Sequence, residues 1–293
     1  MTQIIGEAKG QEENEVFDKP LNVTAKLLVT KPQDEVSKKN LIAIKTGTLL
    51  DKMFIGNDDK EIDGIPAESS IIVVGTPNTG KSLLLSQLAL SLSSLNHKVC
   101  FVTSEEVFRS DSARLDLETR MQERAKVMGL NWQQLKSNLV VLDCVAHAEL
   151  REFTTFVSTL RYLVETEKVE IVLIDSLSLI DDSRNQLKFR LLELTRYAQK
   201  HGLTLVLVSQ RATDDPDSLS VAGGLSILHV ADIVAELDQK KASSWDSALK
   251  IDIPDVKQGQ LVNFFRVQKC RLCKYRANYF KYEITKDGLV KLN

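Results

Sequence analysis

The residues Gly75-Thr76-Pro77-Asn78-Thr79-Gly80-Lys81-Ser82 fit the pattern G-x-x-x-x-G-K-[ST], and their types and spacing are those of an anion cradle. Gly75 and Gly80 can take positive φ, so the N–H groups between them, through Thr76, Pro77, Asn78 and Thr79, can turn inward around a phosphate chain at the positive end of the following helix. Lys81 would bring a point charge to the β and γ phosphates. The Ser82 hydroxyl would offer a ligand to Mg²⁺, which keeps several waters and takes few protein groups. The bland reading, a glycine-containing turn before a core helix, is disfavoured by the context: the apolar strand Ile71–Val74 precedes the loop and the leucine-rich run Leu83 to Leu95 follows it. ATP with Mg²⁺ is the ligand these residues predict.

Other residues with matching chemistry sit at the ends of strand-like runs. Glu170 to Asp175 is an apolar strand closed by an acid, the Walker B pattern, in which burial holds the carboxylate at the sheet edge; Asp175 can then hold a water on the Mg²⁺ ligated by Ser82. Val99–Thr103 reads as a strand ending in Ser104-Glu105-Glu106. Ligands of open α/β sheets bind outside the carboxyl ends of the strands, so a Glu here faces a γ phosphate and can orient or deprotonate the attacking water. On its own a Glu-Glu pair is equally the start of a solvated helix. Beside this loop, position makes Glu105 the general base and Glu106 its partner. Thr204–Val208 delivers Ser209-Gln210, where Gln210 can hydrogen-bond the γ phosphate or the water.

The elements that must position these groups are legible from pattern. Residues 111 to 129 read as an amphipathic helix stopped by Gly129. Phe153, Phe156, Val157, Leu160 and Leu163 mark the inward stripe of another helix, and Leu187, Leu191, Leu194 and Ala198 that of a third, ended near His201-Gly202. Short apolar strands alternating with helices predict one α/β fold with a twisted, mostly parallel sheet, helices on both faces and an antiparallel β-hairpin at the carboxyl end. The chain has 293 residues, 43% hydrophobic and 27% charged, with net charge -2, so no global basic field draws it to nucleic acid or to an anionic membrane. No apolar run reaches the ~18 residues of a membrane span and the amino terminus has no signal-peptide core, which together point to the cytoplasm. Cys100, Cys144, Cys270 and Cys273 are too few and scattered for a disulfide framework. Cys270-x-x-Cys273 lacks the two further ligands that tetrahedral zinc requires. Residues 1–40 read as a polar arm, with one β-like segment at Leu21–Val29, and residues 41–293 as a single domain.

The order Thr46-Gly47, Leu50-Asp51, Gly64-Ile65-Pro66 and then the phosphate loop resembles the KaiC-like branch of the RecA superfamily of P-loop ATPases. Glu105-Glu106 resembles the catalytic glutamates of KaiC and of the bacterial RadA/Sms ATPases, Gln210 is placed like the RecA-type sensor, and the stretch from His229 to Val234 is similar to one in RadA/Sms proteins. Near the carboxyl end, Lys269, Arg271, Lys274 and Arg276 carry four positive charges with no acid among them. Lys269-x-Arg271, followed by the aromatic strand from Tyr279, is similar to the K-x-R hairpin that these families extend toward a neighbour's γ phosphate. A nucleic-acid patch and a solvated basic turn stay open beside that reading.

The resemblance implies a RecA-like fold, a homo-oligomer assembled as a hexameric ring with ATP between subunits, and catalysis that depends on assembly. Three functions follow from the residues and the resemblance together. The first is a Mg-dependent ATP-hydrolysing ring whose nucleotide state switches a protein partner. The second is a RadA-like repair or recombination ATPase on single-stranded DNA, and the third a nucleotide-binding scaffold with little hydrolysis. The loop 211–224, with Asp214, Asp215 and Asp217 against Arg211 alone, would repel a phosphate backbone and disfavours DNA in a central channel.

Overall fold

The computed structural model describes residues 40–112, 115–180, 186–211, 225–241 and 260–292. All of the polar arm but Asn40, with its segment Leu21–Val29, all of the acidic loop but Arg211, and Trp245 lie outside them. Three two-residue strands, β1 (Ala43–Ile44), β2 (Phe54–Ile55) and β3 (Ile65–Pro66), lead into β4 (Ser70–Gly75). Every residue of β4 is buried, as its unbroken apolar run requires of a strand covered on both faces. The phosphate loop joins β4 to α1 (Lys81–Ser94), which is buried over most of its circumference. Then come β5 (Val99–Thr103), α2 (Leu117–Val127), α3 (Trp132–Leu135), β6 (Leu139–Asp143), α4 (Phe153–Thr166) and β7 (Ile171–Asp175). After these follow α5 (Leu187–His201), β8 (Thr204–Gln210), α6 (Leu225–Val230) and β9 (Ile233–Lys241). The chain closes with β10 (Leu261–Cys270), β11 (Lys274–Tyr275), β12 (Phe280–Ile284) and β13 (Val290–Leu292).

Among the described residues nine strands form one sheet, ordered β13-β12-β10-β9-β4-β8-β7-β5-β6. The strands from β9 to β6 in that order run parallel, whereas β10, β12 and β13 add on antiparallel at one edge. Alternation along β4 sorts the core into two layers: Ile71 and Val73 pack with α1 and α2, Ile72 and Val74 with α4 and α5. This is the predicted α/β fold with helices on both faces. The stripes expected on α4 and α5 are the ones that pack inward, and Gly202 ends α5 in the left-handed conformation, φ 67°.

One expectation needs correction and another gains detail. The helix read over 111–129 begins only at Leu117, because the Asp116 carboxylate accepts the Thr119 N–H at 2.8 Å and caps the helix there, which leaves Leu115 outside and exposed. At the carboxyl end, β10 and β12 form the expected antiparallel pair, with β11 between them in the chain. Strand β10 also pairs along its length with β9, keeps Lys269 opposite Val234, and yields to β11, which pairs with β2. The pairing of β10 with β12 is limited to Phe264 with Lys281 and Phe265 with Phe280.

Candidate nucleotide site

Strand register assembles the site. Gly75, the last residue of β4, lies opposite Gln210, the last of β8, and Thr103 of β5 lies opposite Asp175 of β7. Four parallel strands therefore end side by side, and the phosphate loop, Gln210, Asp175 and Glu105 share a cavity of about 410 Å³. Pro77, Leu83, Val208 and Ile284 supply its apolar wall.

The loop's two glycines serve different needs. Gly80 takes the left-handed conformation, φ 84°, as does Asn78 at φ 65°. Gly75 does not; a Cβ there would stand 1.7 Å from the Leu237 carbonyl oxygen of β9, so only glycine permits this approach of strand and loop. Thr76 and Thr79 turn their side chains into protein. The Thr76 hydroxyl donates to Asp238 Oδ1 at 2.6 Å, and the Thr79 hydroxyl donates to the Thr76 carbonyl at 2.9 Å. Lys81 is buried and donates to that same carbonyl at 2.5 Å. Burial pulls its ammonium down to about 8, against the opposing charges of Asp238, Asp175 and Glu105. From β12, the Tyr282 hydroxyl donates to the Thr79 carbonyl at 2.6 Å and braces the loop from behind.

On the acidic side, the Ser82 hydroxyl donates to Asp175 Oδ1 at 3.2 Å. Burial, aided by the carboxylates of Glu105 and Glu106, raises Asp175 to about 6, although the Ser82 bond and Lys81 favour its charged form. The Asp175–Ser176 peptide is cis. Ser104 N–H donates to the Asp175 carbonyl at 2.9 Å and the Ser176 hydroxyl donates to Glu105 Oε1 at 2.8 Å, so the ends of β5 and β7 are tied where Glu105 meets the cavity. Glu106 points elsewhere. It forms an ion pair with Arg120 of α2, and both glutamates line a neighbouring hollow of about 300 Å³, whereas of the two Glu105 alone lines the cavity of the phosphate loop.

The sequence model of the KaiC ATPase family matches residues 44–292, nearly all of the described chain. The chain belongs to the KaiC ATPase family. Among solved structures, a KaiC-like protein of the hyperthermophilic archaeon Pyrococcus horikoshii superposes with a TM-score of 0.60 at 18% sequence identity, covering 86% of this chain and 99% of that one, a likeness of fold. No curated protein matches the chain in sequence. This KaiC-family chain is thus an ATP-binding domain of the RecA superfamily. Among its described residues no helix is long and apolar enough to cross a membrane.

The K-x-R residues of this KaiC-family chain stand apart from its own cavity. Lys269 donates to the carbonyls of Leu228 and Ala231 at 2.8 and 2.6 Å, and Arg271 to that of His229 at 2.6 Å, so both cations sit on the carbonyl end of α6. Burial and Arg271 together lower Lys269. The other two basic residues are neutralised by the polar loop before β3: Lys274 pairs with Asp59 at 2.6 Å and Arg276 with Glu61. Cys270 and Cys273 are free thiols 3.6 Å apart.

Pattern reading missed Ser176, Tyr282 and a buried charge network. Arg211, directly after Gln210, bridges Glu236 and Asp238 of β9, its contact with Asp238 being 2.7 Å, and Glu236 also accepts from Arg266 and Gln268 of β10. The signal was present in the acids at alternate positions after the apolar start Ile233-Val234-Ala235 of a strand, Glu236-Leu237-Asp238, since a strand places both on one face.

Proposed function

We propose that this chain hydrolyses ATP with Mg²⁺ in a ring of identical subunits, and that its nucleotide state switches a protein partner. The observation that supports this reading is the convergence of Lys81, Ser82, Asp175, Glu105 and Gln210 on one cavity. The Ser82 hydroxyl and Asp175 carboxylate, 3.2 Å apart, form the sparse hard-oxygen set that suits Mg²⁺ carried in with phosphates. An Mg²⁺ ion held by these residues would supply charge neutralisation to the phosphates. The phosphate loop's N–H groups and Lys81 hold the phosphate chain. Glu105, steadied by Ser176, orients the attacking water and takes its proton, and Gln210 hydrogen-bonds the γ phosphate. Lys269 and Arg271 lie away from their own cavity, as residues acting on a neighbour's γ phosphate must, and there they stabilise the charge of the transition state.

The DNA-repair alternative draws on the basic carboxyl-terminal stretch, and the pairing of Lys274 and Arg276 with Asp59 and Glu61 weakens it. Steady-state phosphate release by the wild type and by Glu105→Gln, with and without single-stranded DNA, tests the reading. Turnover that disappears in the variant and ignores DNA is expected. Stimulation by DNA of about tenfold, ~1.4 kcal/mol of barrier, would favour the repair enzyme, and no turnover in either protein would leave a scaffold.

A further inference from the structure

A buried carboxylate beside a phosphate cradle has the wrong sign for binding a polyanion, and Asp238 is such a carboxylate. Its side chain is 2% exposed, Glu236 on the same face of β9 is fully buried, and the Arg211 guanidinium that bridges them is 1% exposed. Buried charges persist only when paired and hydrogen-bonded, and Asp238 meets both conditions: Oδ2 faces Arg211 at 2.7 Å, while Oδ1 accepts from the Thr76 hydroxyl at 2.6 Å and from the Gln239 N–H at 2.8 Å. The bond to Thr76 reaches the first variable residue of the phosphate loop. The carbonyl of that residue in turn receives Lys81 Nζ and the Thr79 hydroxyl. Arg211 adds a second hold on the same corner, its N–H donating to the Gly75 carbonyl at 3.0 Å.

We propose that Asp238 is a positioning residue for ATP binding: through the Thr76 hydroxyl it sets the carbonyl on which Lys81 waits, and Arg211 cancels its charge and locks its orientation against Glu236. The inference rests on the cavity being the ATP site. Preorganisation explains the buried acid, because a loop held in its binding conformation before the ligand arrives loses less entropy on binding. Arg211 directly follows Gln210, so the same clamp anchors the strand end that carries the group facing the γ phosphate.

The dissociation constant of a fluorescent ATP analogue with Mg²⁺, measured for the full chain and for Thr76→Val, Thr76→Ser, Asp238→Asn and Thr76→Val/Asp238→Asn, tests this, alongside melting midpoints without nucleotide. Thr76→Val is expected to weaken binding about tenfold, the scale of one hydrogen bond to a charged group, and Thr76→Ser to stay within about twofold of wild type. If Asp238 acts through Thr76, the double variant binds no worse than the weaker single one. Wild-type affinity in Thr76→Val, no rescue by serine, multiplying losses in the double variant, or a lowered melting midpoint with unchanged affinity would each overturn the proposal. Should Asp238→Asn not fold, the valine and serine variants decide alone. A wild type that binds no analogue would instead remove the ATP site itself, a result distinct from a wild type that binds and a Thr76→Val that binds equally well.

Discussion

Glu105 and Glu106 are chemically identical neighbours with separate environments. Glu105 accepts from the Ser176 hydroxyl and lines the cavity of the phosphate loop, and Glu106 is paired with Arg120 of α2. Glu105→Gln is therefore expected to lower turnover by ~10²–10⁴, the range for a general base, and Glu106→Gln by no more than a few fold, as read from steady-state phosphate release. Lys81 brings a pH dependence. Its pKa of about 8 lies below the usual lysine value, so the free site carries the ammonium below that pH and loses it as pH rises through 8. Because bound phosphates favour the charged form, ATP affinity should fall between pH 7 and pH 9, with proton uptake on binding that calorimetry in buffers of different ionisation enthalpy will detect.

At the scale of elements, the site depends on how closely β9 approaches the end of β4. Gly75→Ala places a methyl group against the Leu237 carbonyl, a backbone atom that cannot swing away, so the loss of stability should reach the upper end of the ~1–3 kcal/mol that overpacking costs. A lower urea midpoint together with weaker ATP binding would register it. Helix starts are set by acids. The Glu152 carboxylate caps α4 by accepting the N–H groups of Thr154 and Thr155, and bonds from the Thr155 and Thr154 side hold it down at about 2. A carboxylate depressed in the fold stabilises above its unfolded pKa and ceases to do so as pH falls through the folded one. The melting difference between wild type and Glu152→Gln should accordingly be full near neutrality and shrink toward zero between about pH 4.5 and pH 2.

For the whole molecule, the decisive matter is that Glu105 and Arg271 of one chain do not share a cavity. If each ATP is served by Glu105 of one subunit and Arg271 of the next, Glu105→Gln and Arg271→Ala should each be inactive alone. Mixed and allowed to exchange subunits, they should regain turnover at boundaries where an intact Glu105 meets an intact Arg271; no recovery would place Arg271 in a structural role at the end of α6. In the basic stretch from Lys269 to Arg276, Lys274 and Arg276 are paired with acids and Lys269 and Arg271 are engaged by carbonyls at the end of α6, so single-stranded DNA should leave both turnover and melting unchanged.

The sequence by itself determined the phosphate loop, its flanking strand and helix, the two acids at strand ends, and the alternation that makes an α/β sheet, because each rests on residue types at short fixed spacings and on the period of burial along a strand or helix. Tertiary structure decided what those spacings do not encode. Lys274 meets Asp59 across 215 positions, which turns an apparent basic patch into paired charges. Glu106 pairs with Arg120 of α2, and Gly75 is required for contact with a strand 162 or so positions away rather than for its own φ. Asp238 and Arg211, in sequence an acid in a strand and a base after one, become a clamp on Thr76 only because β4 lies between β8 and β9. Ion pairs and close approaches of this kind depend on sheet order and register, which the chain as a whole settles and no local stretch can state.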